Sequence, residues 1–414
     1  MKKHNIIAMA LTSLMALPVI AQDSTPAVGD ILQGINMFTP EEGDPAYKVK
    51  ANEKYGTQWG VDMAYGLWNT EKVSDVKRHN NLALLHAQLN QRLIEDKANG
   101  GTWLRVEFSG SWGLDRESAQ SDTFFTGDLS PASGLHADAM GPHEGIFPEV
   151  ALMQYFAGKR ACLIAGMVNL TNYFDAVSIA NDSFSSFTND GFVNSTILPL
   201  VDSNIGGILQ VELNRNNYMM VAVSRTGCDS GYNPFIAHAG STPFNSDYCD
   251  GYAVVGEYGH IFADGAATLR INPFYTSTDV DMDDGTGERR RQNAGLVASI
   301  EYTPCDPLTI YSRAGFAAKQ YLSNSAEFSV GANIKLFPSR EDDFLGISYG
   351  VFKGQTPCDG ERAEHNREQV LEVMYSFQVN DYFKVVPHFQ YIANPAYSTS
   401  SENILWGVQA VFSF

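Results

Sequence analysis

Basic residues are scarce in this sequence: 28 Lys and Arg stand against 47 Asp and Glu, a formal charge of −19 over 414 residues. Neutralising phosphates takes clustered cations, so nucleic acid is excluded as the main partner. Long apolar runs are missing beyond the first residues. A spanning helix needs about 18 or more consecutive apolar residues, so only a closed β-barrel could hold this chain in a membrane. Cysteine is sparse too. Cys162, Cys228, Cys249, Cys305 and Cys358 form no CxxC pair and have no His at metal-ligand spacing, which argues against a zinc site. There is no Gly-rich phosphate loop, no HExxH and no Gly-x-Ser-x-Gly elbow. The acidic run from Asp279 to Asp284 has Asp284 where a calcium loop needs Gly and Arg290 where it needs Glu, so with Arg289, Arg290 and Arg291 it reads as a solvated outer loop. No cofactor, no metal and no enzymatic activity are expected.

What is present begins with a targeting pattern. Lys2 and Lys3 precede an apolar stretch from Ile6 to Leu17, and Val19-Ile20-Ala21 offers a cleavage site before Gln22. The chain is thus expected to be exported, with residues 1–21 a signal peptide, 22–54 an N-terminal periplasmic segment and 55–414 the folded body. Export permits disulfides, and Cys228 and Cys249 flank one polar, Gly-rich segment, so they are expected to pair as a loop staple. Cys162, Cys305 and Cys358 are left unassigned.

The dominant pattern is period two. Ile404, Trp406, Val408, Ala410, Phe412 and Phe414 alternate with Gly407, Gln409 and Ser413; Leu371, Val373, Tyr375, Phe377 and Val379 alternate with Glu372, Ser376 and Gln378. Continuing the count predicts sixteen strands near residues 58–68, 82–94, 102–112, 149–157, 161–170, 207–214, 217–225, 251–262, 265–275, 292–303, 307–318, 326–337, 342–353, 368–379, 382–391 and 403–414. The second could be an amphipathic helix, but Leu85, Ala87, Leu89 and Leu93 alternate with His86, Gln88, Asn90 and Arg92, which favours strand. Short turns such as Gly158-Lys159-Arg160, Arg215-Asn216 and Asn380-Asp381 follow even-numbered strands, and long polar segments follow most odd-numbered ones. The fold class expected is all-β, a transmembrane antiparallel barrel of about 16 strands with short periplasmic turns and long extracellular loops. A soluble sandwich with one charged face in water is the rival. In a barrel the apolar face meets lipid, the charged face lines water, and Trp406, Phe412, Phe414, Tyr375 and Tyr382 supply interfacial girdles.

Several stretches resemble one family. Glu368 and Glu372 precede Met374-Tyr375, followed by Val386-Pro387-His388-Phe389-Gln390-Tyr391-Ile392 and Asn394-Pro395; Ser312-Arg313-Ala314-Gly315 precedes Phe337-Pro338-Ser339-Arg340-Glu341-Asp342-Asp343; and Gly166-Met167-Val168-Asn169 leads to Phe187 and Phe192-Val193-Asn194-Ser195. Together these resemble the carbohydrate-selective porins (OprB family) over about the last 260 residues. One departure is Met167, where the family is expected to carry Lys. The resemblance implies an outer-membrane channel through which mono- or small oligosaccharides diffuse passively, without naming the sugar.

Strand parity places Arg92, Arg105, Arg270, Arg313 and Lys335 in the lumen with Glu107, Glu212, Glu257, Glu301, Glu327 and Glu372, a mixed wall suited to hydroxyl groups. The bland reading of each is a solvated or mutually paired wall residue. The constriction is expected from an infolded loop. Thr171 to Gly206 is one candidate, with Asp, Asn, Ser and four Phe but no Lys or Arg, and Trp112 to Pro148 is another. Expected partners are small sugars, outer-membrane lipid and lipopolysaccharide, and the barrel assembly machinery. Alternatives are a general, mildly cation-preferring porin, a barrel enzyme and an adhesin.

Overall fold

Strand alternation of this length closes on itself. The computed structural model describes residues 30–37, 45–71, 78–116, 118, 137, 143–201, 203–226, 251–262, 265–277, 280–281, 289–290, 292–318, 324–354, 366–395 and 402–414. Sixteen of its strands form one closed antiparallel barrel, each paired with its sequence neighbours. They are β1 (Thr57–Glu71), β2 (Arg78–Ile94), β3 (Thr102–Gly113), β4 (His143–Phe156), β5 (Ala161–Val168), β6 (Asn204–Asn214), β7 (Asn217–Thr226), β8 (Gly251–Phe262), β9 (Ala267–Thr276), β10 (Asn293–Cys305), β11 (Leu308–Ala317), β12 (Ala326–Ile334), β13 (Phe344–Lys353), β14 (Glu368–Asn380), β15 (Phe383–Ala393) and β16 (Glu402–Ser413). The ring shuts where β1 pairs β16, from Asp62 opposite Ser413 to Glu71 opposite Ile404. Closure leaves no unpaired edge. A two-residue ladder, Val280–Asp281 with Arg289–Arg290, stands apart from the barrel.

All sixteen expected strands are present, the second as strand and not helix. The outward face is the apolar one: Trp406, Phe412, Phe414 and Tyr382 are exposed there, while Gln409 and Glu372 on the opposite face are fully buried. The fourth strand starts earlier than expected, at His143. The twelfth ends earlier, at Ile334, which leaves Lys335 at the rim.

The inner face is not uniformly polar. Trp68, Leu82, Leu84, Val370, Met374, Val386 and Leu405 point inward, buried in one cluster with Val177, Phe184, Phe187 and Phe192. Trp68 lies against β16 at Gly407, where a Cβ would come within 2.6 Å of the indole. A second cluster joins Trp103, Met153, Tyr155, Ile164, Ile208, Met220, Val255 and Val297 of the wall to Leu170, Phe174 and Leu198. All the non-strand partners in the first cluster, and Leu170, Phe174, Leu198 and their neighbours in the second, come from residues 169–203, between β5 and β6. That long loop folds into the barrel.

Helix α1 (Asp30–Asn36) belongs to the same interior. Ile31 and Leu32 join the second cluster. Asn36 exchanges side-chain hydrogen bonds with Gln210 (2.5 and 3.1 Å), and its carbonyl accepts from Asn90 Nδ2 at 3.1 Å and Arg105 Nη1 at 3.3 Å. Part of the segment expected in the periplasm thus packs on the inner wall. Helix α2 (Ala46–Tyr55) follows and leads into β1 through Gly56.

Candidate functional site

The site is the infolded loop and the wall that holds it. Leu170 N donates to Val201 O at 2.9 Å and closes the loop's neck, so 169–203 leaves and re-enters the barrel at nearly one point. Its aromatic side chains face the wall and not the passage. Phe174, Phe187 and Phe192 are fully buried and Phe184 is 5% exposed, so burial of each contributes roughly 1.5–3 kcal/mol to docking.

Carboxylates on six strands then grip it. On β4, Glu149 accepts from Asn172 Nδ2 (3.2 Å) and from the Tyr173 hydroxyl. On β3, Glu107 accepts from Asn169 Nδ2 (3.2 Å) and Asn172 Nδ2 (2.5 Å) and is paired with His86 Nε2 at 3.0 Å. On β8, Glu257 accepts from Asp175 N (2.9 Å), Tyr218 Oη (2.7 Å) and Asn272 Nδ2 (2.7 Å). On β10, Glu301 accepts from Ser178 N (2.7 Å) and its hydroxyl (2.5 Å). On β12, Glu327 accepts from Thr196 N (2.8 Å), Thr196 Oγ1 (2.7 Å) and the Ser195 hydroxyl. On β14, Glu372 accepts from Thr188 N (2.9 Å), Thr188 Oγ1 (3.0 Å) and Asn189 N (3.1 Å), with His388 Nδ1 at 3.1 Å.

Two arginines complete the grip. Arg313 on β11 is fully buried, its Nε 2.7 Å from Asp175 Oδ2. Its Nη1 donates to the carbonyls of Gly191 (3.2 Å) and Phe192 (3.1 Å) and its Nη2 to that of Val193 (3.4 Å), capping α3 (Asp190–Val193). Arg105 pairs with Glu149 at 3.0 Å and stacks over the Tyr173 ring at 5.3 Å, and Tyr173 Oη donates back to Glu149 at 2.5 Å.

Of the residues expected to line water, Arg105, Glu107, Glu257, Glu301, Arg313, Glu327 and Glu372 therefore come together as the loop's mounting. Arg313 and Glu372 face inward but lie at 0% exposure beneath the loop. Arg270 is half-buried, and its Nη1 has no hydrogen-bond partner among the described residues. Arg92 and Glu212 lie elsewhere, toward the turn end: Arg92 stacks over Trp103 at 5.8 Å, and Glu212 is buried at the β6 end, where its carbonyl accepts from Arg160. Lys335 stands one residue beyond β12, where its N–H still donates to Pro307 O at 2.8 Å in register with the ladder, and its ammonium pairs with Asp306 at 3.3 Å on the rim, away from the loop.

Sequence reasoning missed Glu149, Asp175, His388 and Gln390 and the docking role of the loop aromatics. The one signal available was the loop's composition, rich in Phe and free of cations. Residues that stay exposed on the loop are Ser178, Asp182 and Asp190. The second candidate segment reaches the site at Ala137, whose N–H donates to Thr188 O at 2.9 Å. Cys162 is buried and free and Cys305 exposed and free, whereas Cys228, Cys249 and Cys358 lie outside the described residues. Residues 1–29, with the expected signal peptide, lie outside them as well.

A sixteen-stranded barrel with a loop latched inside its lumen defines an outer-membrane porin. The family described as carbohydrate-selective porin, OprB family, matches residues 206–414, and the chain belongs to it. The motif at Gly166–Ser195 falls outside that match. Among solved structures the high-pH structure of Pseudomonas putida OprB is similar at TM-score 0.70 and 14% identity, covering 89% of this chain and 96% of that one. The low-pH structure of the same protein aligns at TM-score 0.53 and 10% identity (91% and 98% covered), and Salmonella typhi OmpF in complex with daunomycin at 0.53 and 10% (86% and 97%). No curated protein matches the chain.

Proposed function

We propose that this carbohydrate porin is a passive channel whose selective step is the gap between the latched loop and the uncovered inner wall, and that small neutral sugars are its cargo. The carrying observation is the latch itself: six wall carboxylates are spent on holding the loop, so the polar groups left for a solute are few. Asp182 and Asp190, exposed on the loop, offer acceptors suited to hydroxyls. The loop's buried Phe residues are turned away, so recognition rests on hydrogen bonds and size more than on ring stacking. Diffusion needs no bond-making step, and the chain acts as a channel and not an enzyme. Residues 1–21 are removed on export, lipid and lipopolysaccharide surround the mature barrel, and the assembly machinery takes the strand that ends in Phe414. Two exposed loop carboxylates with no loop cation beside them favour a second reading, a general porin with mild cation preference.

Liposome swelling with a panel of neutral sugars and similar-sized non-sugars separates the two. Faster entry of sugars at matched size supports the proposal. Equal rates at equal size leave the general porin.

A further inference from the structure

Helix α2 reverses the charge of the chain that carries it: Lys48, Lys50 and Lys54 accompany one acid, Glu53, in its ten residues. Its placement is fixed at both ends of its contact with the barrel. Gly56 caps it in the left-handed conformation (φ 64°), with its N–H on Asn52 O, and a Cβ there would meet the Arg92 side chain at 2.4 Å. Arg92 N donates to Gly56 O at 2.8 Å, and Gln58 Nε2 donates to Asn52 Oδ1 at 3.3 Å. These bonds seat α2 on the rim at the turn end of β1 and β2.

The helix then leans on the outer wall. Tyr47 stacks on Trp59 at 6.1 Å and 23°, and Lys48 Nζ lies 4.8 Å from the same ring. Trp59 shares its strand face with Met63 and Tyr65, both exposed on the lipid side, while its neighbour Gln58 is buried on the inner face. Val61 exchanges backbone hydrogen bonds with Phe414 (3.0 and 2.9 Å), so Trp59 lies one pleat nearer the rim than Phe414. Tyr382 stacks on Phe414 at 6.1 Å and Phe383 on Phe412 at 4.7 Å. Trp59 is thus part of the aromatic band that marks the membrane–water boundary at this end. Tyr47 and Tyr55, 57% and 59% exposed, carry that band onto the helix, and Lys50 and Lys54 are exposed beside them.

Aromatic rings at the boundary with long cationic side chains just beyond it are what a lipid headgroup layer binds: the rings take the interface and each ammonium reaches a phosphate. We propose that α2 is a docking helix for anionic phospholipid headgroups of the leaflet at the turn end of the barrel. The occupant is lipid and not a protein partner, because Tyr47 and Lys48 lie against the girdle ring Trp59 on the lipid-facing side, with Lys50 and Lys54 exposed on the same helix. A protein ligand would leave the exposed tyrosines facing acyl chains.

The test uses the full mature chain in nanodiscs of phosphatidylethanolamine and phosphatidylglycerol at about 3:1, a mildly anionic surface, with lipids retained on the ejected protein counted by native mass spectrometry. Phosphatidylglycerol is expected to be enriched on the wild type above its share of the mixture. The triple variant Lys48→Gln, Lys50→Gln, Lys54→Gln should lower that preference on the order of tenfold. The triple Lys→Arg variant should keep it, with heat-modifiability reporting an intact barrel in both. The proposal is overturned if the Gln variant keeps the full preference or the Arg variant loses it. It is also overturned if soluble glycerol phosphate strips the enrichment, which would mean a free anion is the ligand.

Discussion

Removing the Glu372 carboxylate should loosen one stretch of the loop and leave the barrel standing. In Glu372→Ala, Thr188 N and Asn189 N lose an acceptor at 2.9 and 3.1 Å in a fully buried place, and the Thr188 hydroxyl loses its partner as well. Hydrogen bonds to a charged group contribute about 1.5–3 kcal/mol each, so two backbone donors at the low end give a loss of about 3 kcal/mol. That corresponds to roughly a hundredfold more frequent local opening around 185–192. The opening stays local. Glu301 still holds Ser178 and Glu327 still holds Ser195 and Thr196, while Phe187 and Phe192 must leave their cluster for the segment to swing. Glu372→Gln keeps one acceptor oxygen and should fall between. Amide hydrogen exchange at Thr188 and Asn189 reads the opening, and single-channel recordings in planar bilayers should show added current noise and a larger mean conductance. Unchanged exchange at both amides in Glu372→Ala would refute the latch, whatever the conductance did.

The buried ion pair should be asymmetric: Arg313→Ala strands Asp175 at 0% exposure and should cost about 3–5 kcal/mol in detergent unfolding, whereas Asp175→Asn leaves Arg313 its three carbonyl acceptors and should cost less. Equal losses would refute this division. At the rim, hydrogen bonding to Arg340 holds the Asp343 carboxyl below its usual range against the opposing effect of its burial. A lowered folded value gives stability that is present above the unfolded value of about 3.9 and lost as pH falls through the folded one. The Asp343 contacts to Gln378 N and Tyr375 Oη should therefore hold from neutral pH down to about pH 4 and fail only below it, with Asp343→Asn flattening the profile in a pH series of exchange at Gln378; loss of protection already at pH 5 would contradict the assignment. Peptide-resolved maleimide labelling of the native barrel should modify Cys305 and spare Cys162, and rapid labelling of Cys162 would refute its burial.

The barrel was legible because each strand needs only its own alternation to declare itself, and a lipid face tolerates no charge over ten or so residues. Strand ends were less legible. Leu336 and Phe337 prolong the apolar rhythm beyond Ile334, yet β12 ends at Ile334 and the last ladder-like bond is Lys335 N–H to Pro307 O, because the partner strand β11 begins only at Leu308. Helix α1 was illegible for a different reason. Seven residues give too short a window for a helical period, and what places them is the amide pair of Asn36 with Gln210, 174 residues away. The inward Trp68, Leu82, Val370, Met374 and Leu405 did carry a signal, since apolar side chains on a water-lined wall imply a cover.

The loop mounting shows why a wall can be read when its partner cannot. Glu257, Glu301, Glu327 and Glu372 each take at least one main-chain N–H: Asp175, Ser178, Thr196, and Thr188 with Asn189. Arg313 does the complementary thing, donating to three main-chain carbonyls. A backbone group is the same whatever side chain it bears, so the main-chain part of these contacts leaves no mark in the loop sequence, and the more readable half lies in the inward charges of the strands. Neutral main-chain donors also fix direction better than lysines would, because they bring no flexible stem that must be ordered. Absence of Lys and Arg from 171–206 fits how the loop is held: its anchors are peptide groups and short neutral donors such as Ser178, Thr188, Ser195 and Thr196, with Asp175 the one charged anchor, on Arg313.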